Sequence, residues 1–149
     1  MREILFRAKR KDNGEWLEGY YIKATHHWHE HGKHEDWIVV DTIQNGGWCN
    51  VRGKYAVIPE TVGQYTGLTD KNGKKIFEGD IILFEDESPA NYEYHDCTEM
   101  RCGVIEFDSG EFYLTNRIAV EMGDLIYDGK LDGEIIGNIH ENRELINEN

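Results

Sequence analysis

The chain has 149 residues, three of them cysteine, and 29 Asp+Glu against 16 Lys+Arg, for a formal net charge of −13. That length suits one domain or two small ones sharing an interface, and an odd cysteine count with no apolar leader before Arg2 and Glu3 points to free thiols in a reducing, cytoplasmic setting. The longest uninterrupted apolar run is four residues, which excludes a membrane-spanning helix, and the net charge repels nucleic acid on average.

The charge is unevenly spread. Up to Ile76 there are 12 Lys+Arg against 10 Asp+Glu, whereas from Phe77 onward there are 4 against 19, a net of −15. So acidic a half is read first as a solvated face, and second as a surface that repels or imitates a polyanion.

In chain order, the opening Arg2-Glu3-Ile4-Leu5-Phe6-Arg7-Ala8-Lys9 alternates, placing Ile4, Phe6 and Ala8 on one face of a half-buried strand. Lys11-Asp12-Asn13-Gly14 is a hairpin signal because Asn-Gly tolerates positive φ, and Glu15 to Ile22 is the return strand. Arg2, Arg7, Lys9, Arg10 and Lys11 make this hairpin basic. It could meet a phosphate backbone, but the acid within the same chain favours an internal partner.

Five of the seven histidines then fall within nine positions, from His26 to His34. His27, His29 and His31 alternate, so on an extended strand they would share a face, with Glu30, Glu35 and Asp36 as added oxygen ligands. The spacing lacks the His-Glu-x-x-His pattern of a zinc protease helix. An exposed hairpin tip is therefore the favoured reading over a metal site or a pH switch. Trp37 to Ile43 is a β-branched strand, Asn45-Gly46-Gly47 a turn, Trp48 to Val51 a short strand or loop, and Lys54 to Ile58 a further strand stopped by Pro59. Pro59 suits the first position of a single helical turn.

Gln64 to Ile82 reads as a joint. Asp70-Lys71-Asn72-Gly73 is a tight turn, and Glu78-Gly79-Asp80 before Ile81-Ile82-Leu83-Phe84 resembles the start of a bent strand in SH3-like barrels, with glycine permitting the bend and the carboxylate bonding nearby amides. Glu85 to Arg101 is a long acidic stretch without period. Cys97 and Cys102 stand five apart, unlike a zinc ribbon. Gly103 to Phe107 and Glu111 to Leu114 form a second hairpin through Asp108-Ser109-Gly110. Thr115 to Asp124 is undecided, Asp128-Gly129 and Asp132-Gly133 flank a turn, Glu134 to Ile139 is the closing strand, and Glu141 to Ile146 a final helical turn.

Three stretches carry a family resemblance: Arg2 to Ala8, the central Gln64-Tyr65-Thr66-Gly67-Leu68 with Asp70-Lys71-Asn72-Gly73-Lys74 and Ile76 to Ile81, and the ending Ile136-Gly137-Asn138-Ile139-His140-Glu141-Asn142. Together they resemble the YopX family of bacteriophage and prophage proteins. The resemblance implies a largely β fold and supplies no activity, cofactor or catalytic residue. At position 143 the chain has Arg where the family ending often has proline, and the histidine loop and the stretch from Glu85 to Cys102 lie outside the shared motifs.

The expectation is thus a mainly β protein of two small units, 1–62 and 63–149, the second an acidic, SH3-like, partly open barrel, the two able to form one compact domain. No nucleophile and base pair or phosphate-cradling loop is present. The favoured function is a non-catalytic module binding a host or phage protein, with Trp28, Trp48 and Tyr92 as candidate anchors among 17 aromatics. The alternatives are an acidic mimic of DNA and a metal-assisted hydrolase using the histidine loop or the pair Glu106 and Asp108. No cofactor, membrane or nucleic-acid partner is expected, and homo-oligomerisation is left open.

Overall fold

Asn-Gly and Asp-Gly steps between alternating apolar runs favour antiparallel pairing of neighbouring segments, and a computed structural model of the chain has that organisation. The structure describes residues 3–25, 34–45, 48–86, 99–115 and 125–147, with backbone alone at 25, 41–45, 48–52, 86, 99 and 147. Among the described residues the fold is mainly β, with one short helix, and the chain divides into two compact units, Met1–Tyr65 and Thr66–Asn149.

The first unit holds β1 (Phe6–Lys9), β2 (Trp16–Thr25), β3 (His34–Asn45) and β4 (Trp48–Ala56), each antiparallel to the next. The end of β4 returns to β1: Arg10 bridges Val57, Lys11 N–H donates to the Ala56 carbonyl at 2.9 Å, and Ile58 N–H donates to the Lys9 carbonyl at 2.8 Å. Pairing therefore closes into a ring at this end of the sheet, where Lys9 to Lys11 and Ala56 to Ile58 cover each other's edges. Ala8, Ile38 and Val57 are buried inside, with Phe6, Leu17, Tyr21 and Val62 packed on them. Gly19 sits where a Cβ would collide with the Val39 carbonyl oxygen and approach Ile38 Cγ2 to 2.8 Å, so only glycine lets the strands come this close.

Three expectations need correcting in this unit. The first strand begins at Phe6, and Ile4 is 60% exposed while Leu5 is buried; the alternation breaks because Leu5 lies ahead of the ladder, its carbonyl accepting from Tyr65 N–H at 2.8 Å. The segments Trp48 to Val51 and Lys54 to Ile58 are one strand as far as Ala56, since register shifts in the pairing between Val39 and Thr42 keep the ladder going past Arg52-Gly53. The first hairpin also has a longer loop than its Asn-Gly step suggests: Gly14 N–H donates to the Arg10 carbonyl at 3.1 Å, and Gly14, not Asn13, takes positive φ. Pro59 does open a single 3-10 turn, Pro59–Thr61.

Next comes β5 (Gly63–Thr69), whose Gly63 and Gln64 pair with β1. In the second unit, β6 (Lys75–Phe77) pairs back on β5, and a four-stranded antiparallel sheet follows from β7 (Asp80–Asp86), β8 (Glu99–Asp108), β9 (Glu111–Leu114) and β12 (Gly133–Asn138), in the order β12-β7-β8-β9. A small hairpin of β10 (Ile126–Tyr127) and β11 (Lys130–Leu131) meets β5 through Lys130 and Thr69, and α1 (Glu144–Asn147) ends the described chain. Ile76, Ile82, Phe84, Ile105, Leu114 and Leu131 form the core, so the apolar run after Gly79-Asp80 is buried as its composition requires. Asp108 pairs directly with Glu111, leaving Ser109-Gly110 as a two-residue turn with both φ positive, the type I′ geometry.

The joint works as a set of ties. Asp70, 1% exposed, accepts through Oδ1 from Asn72 N–H and Lys74 N–H, both at 2.9 Å, and through Oδ2 from Ile135 N–H at 3.3 Å. One side chain thus shapes the turn and holds it to β12. Asp80 Oδ2 accepts from Phe77 N–H at 2.8 Å, and Gly79, at φ +85°, donates to Ile105 O at 2.8 Å and accepts from Ile139 N–H at 2.9 Å. Left-handed backbone at that point favours glycine.

The chain's ending is a second tie. Asn138 Oδ1 accepts from His140 N–H at 3.0 Å, its Nδ2 donates to Glu141 Oε2 at 3.1 Å, and its backbone N–H donates to Asn142 Oδ1 at 3.3 Å.

Candidate binding face

Period-two alternation fixes which side chains of the first unit point outward. The register pairs Arg7 with Glu18 and Lys9 with Trp16, Tyr20 with Val39 and Ile22 with Trp37, and Val39 with Lys54. Partners across an antiparallel ladder share a face, so these residues lie together on the side away from Ala8 and Ile38. Tyr20 is 58% exposed and Ile22 47% exposed on the same strand.

Around them, cations lie on aromatic rings. The Arg7 guanidinium is 4.7 Å and Lys9 Nζ 5.4 Å from the Trp16 ring centre, and Lys54 Nζ is 3.8 Å from that of Trp37. Such contacts are worth about 0.5–1 kcal/mol each when exposed, and here they fix long side chains across the face. At the rim Lys11 Nζ reaches Glu35 at 4.0 Å. Trp37 Nε1 is buried without a hydrogen-bond acceptor, a condition that costs roughly 1–3 kcal/mol.

Among the described residues, cations of the basic hairpin engage rings and acids of their own unit: Arg10 lies 4.3 Å over the Tyr55 ring and pairs with Asp12, which raises the guanidinium pKa and lowers that of the Asp12 carboxyl, while Lys11 faces Glu35. Inside the ring, Tyr21 donates its hydroxyl proton to the buried Asp36, and that hydrogen bond, with burial and the carboxylate charge, pushes the phenol up to about 12.

The candidate anchors Trp28 and Tyr92 and the histidines His27, His29 and His31 lie outside the described residues. Trp48 is placed by its backbone, paired with Asn45 at the start of β4. Among the described residues no group of three or more His, Cys, Asp or Glu could hold a metal ion. Glu106 and Asp108 are exposed on β8 and each has its own donor, Tyr113 Oη for Glu106 and Ser109 Oγ for Asp108, both at 3.2 Å. A groove of about 230 Å³ is lined by Val104, Glu106, Thr115, Ile139, Arg143 and Ile146; Asp108 is not part of it, so this groove does not bring the two carboxylates together. Burial raises the Tyr113 phenol, helped by Glu106, and burial raises the Cys102 thiol, which is free and not activated as a nucleophile.

Sequence reasoning missed Tyr20, Ile22, Trp37 and Lys54 as a group. β2 carries apolar residues in both phases, Trp16, Tyr20 and Ile22 in one and Leu17 and Tyr21 in the other, so hydrophobicity alone does not say which phase faces in. Gly19 was the available signal, because a glycine beside large residues marks the side on which strands approach most closely.

Fold and face together define a mainly β protein whose open sheet surface combines aromatic, apolar and basic side chains. The chain matches the YopX protein family model over residues 5–147 and belongs to the YopX family. Among solved structures it is similar to the crystal structure of protein EF1440 from Enterococcus faecalis, at 26% identity and a TM-score of 0.60, over 98% of this chain and 99% of that one. No curated protein matches it. Among the described residues no helix is long and apolar enough to cross a membrane.

Proposed function

We propose that the protein is a non-catalytic module of phage or prophage origin that binds a host or phage protein in the cytoplasm of the bacterial host, using the outer face of its first unit. The observation that carries this reading is the neighbouring pair Tyr20 and Ile22, 58% and 47% exposed on one strand and flanked in register by Trp37 and Val39. Tyr, Trp and Arg are the residue types that dominate binding energy in protein interfaces, and all three occur on this face. The other large exposed apolar side chains among the described residues are Ile4 and Val40 in the first unit and Met100, Phe107, Ile126 and Tyr127, on β8 and the β10–β11 hairpin, in the acidic second unit. That unit is read as a partly open SH3-like barrel, from the bend at Gly79-Asp80 and the β12-β7-β8-β9 order.

The reading is tested by quantitative affinity isolation from infected and uninfected host lysates, comparing the tag-free wild type, coupled through its cysteines, with a Tyr20→Ser/Ile22→Ser variant that keeps the wild-type melting temperature. A partner retained by the wild type and lost by the variant supports it. Partners recovered equally by both would move the binding surface elsewhere.

A further inference from the structure

Resting on the protein-binding reading, we infer that the outer face of the first unit takes an acidic peptide segment of its partner, one in which carboxylates alternate with apolar side chains. Among the residues whose side chains the structure describes, the face and its rim hold four cations, Arg7, Lys9, Lys11 and Lys54, against two carboxylates, Glu18 and Glu35. In the whole chain the balance is reversed, 16 basic to 29 acidic. A local excess of cations on an acidic protein selects for an acidic ligand at short range, within about 8–10 Å at physiological salt, while the remainder of the molecule repels large polyanions.

The apolar element is central to the face. Tyr20 and Ile22 lie between the Trp16 ring bearing Arg7 and Lys9 and the Trp37 ring bearing Lys54. A segment laid across the strands would set its apolar side chains on Tyr20 and Ile22 and its carboxylates beside the flanking cations.

Single-stranded nucleic acid fits less well. Its binding platforms need successive open aromatic faces, whereas Trp16 and Trp37 each already carry a cation over the ring, and Ile22 offers aliphatic surface. The phosphate backbone would also meet the repulsion of a chain with net charge −13.

The test is selection of a displayed random short-peptide library on the full chain, followed by fluorescence anisotropy of the synthesised winners. The expected winners interleave Asp or Glu with Leu, Ile, Phe, Tyr or Trp. They bind more weakly as salt rises, and they lose roughly tenfold or more in Kd with Lys54→Glu and with Tyr20→Ser, variants whose circular dichroism and melting temperature match the wild type. Winners that depend on Tyr20 but show no acidic bias would overturn this inference and leave the protein-binding reading standing. An empty selection, or winners indifferent to both substitutions, would overturn both. Displacement of a winner by oligothymidine would point to nucleic acid, and concentration-dependent self-association abolished by Lys54→Glu, seen by sedimentation, would assign the face to a second copy of the chain; either result overturns the inference.

Discussion

Asp70 is buried, and its two oxygens are committed to three backbone N–H groups on two sides of a turn. Removing it leaves buried donors without acceptors, so Asp70→Ala is expected to cost roughly 2–4 kcal/mol in urea unfolding. Asp70→Asn keeps one oxygen for the turn and gives up the charge-assisted bond to β12, and is expected to cost about 1–2 kcal/mol. Equal losses for the two variants would mean that the turn bonds add nothing beyond the tie to β12. Tyr21 gives a pH signature. Its folded pKa, about 12, lies above the ordinary phenol value because the neutral hydroxyl donates to Asp36. Its contribution to stability is therefore fully present below about pH 10 and is lost as pH rises from there toward about 12. Ultraviolet titration should show a tyrosine ionising at about pH 12, absent in Tyr21→Phe, whose stability should also fall less steeply over that window. A wild type in which every tyrosine titrates near pH 10 would contradict the hydrogen bond.

At the scale of elements, closure of the first unit depends on strands meeting at Gly19. Gly19→Ala is expected to destabilise by about 1–3 kcal/mol through overpacking against Val39 and Ile38, measured by thermal unfolding of the full chain, whereas a methyl at exposed Gly73 meets open space and tests only the left-handed backbone. Local turn chemistry is why so much of the fold could be read directly. Asp108-Ser109-Gly110, Asp70 to Gly73 and the Gly79-Asp80 step each announce themselves in four residues or fewer and were found as turns. Registers and faces were less legible because they depend on distant partners. Leu5 is buried by what lies ahead of the ladder, and the β3 to β4 pairing runs on through irregular register at Asp41. The candidate face was hidden for the same reason: Trp16, Tyr20 and Ile22 look like core until their partners across the ladder are known. The metal-ligand candidates of the histidine loop rest on composition, which indicates ligating capacity but not geometry.

On the scale of the molecule, the two units divide chemistry as well as contacts. Residues 1–65 hold nine Lys+Arg and nine Asp+Glu, and residues 66–149 hold seven and twenty, so the whole net charge of −13 belongs to the second unit. The signature from Gln64 to Ile82 falls at that division, and its Thr66, Asp70 and Asp80 side chains make hydrogen bonds to backbone groups that shape the chain. The central claim, that the outer face of the first unit is where a partner docks, is tested most directly by site-specific photo-cross-linking in infected bacteria. A photoreactive phenylalanine analogue placed at position 20 or 22 should yield a discrete adduct with one protein, and the same analogue at exposed Glu111 or Tyr127 should not. Adducts at Glu111 or Tyr127 with none at positions 20 and 22 would contradict it.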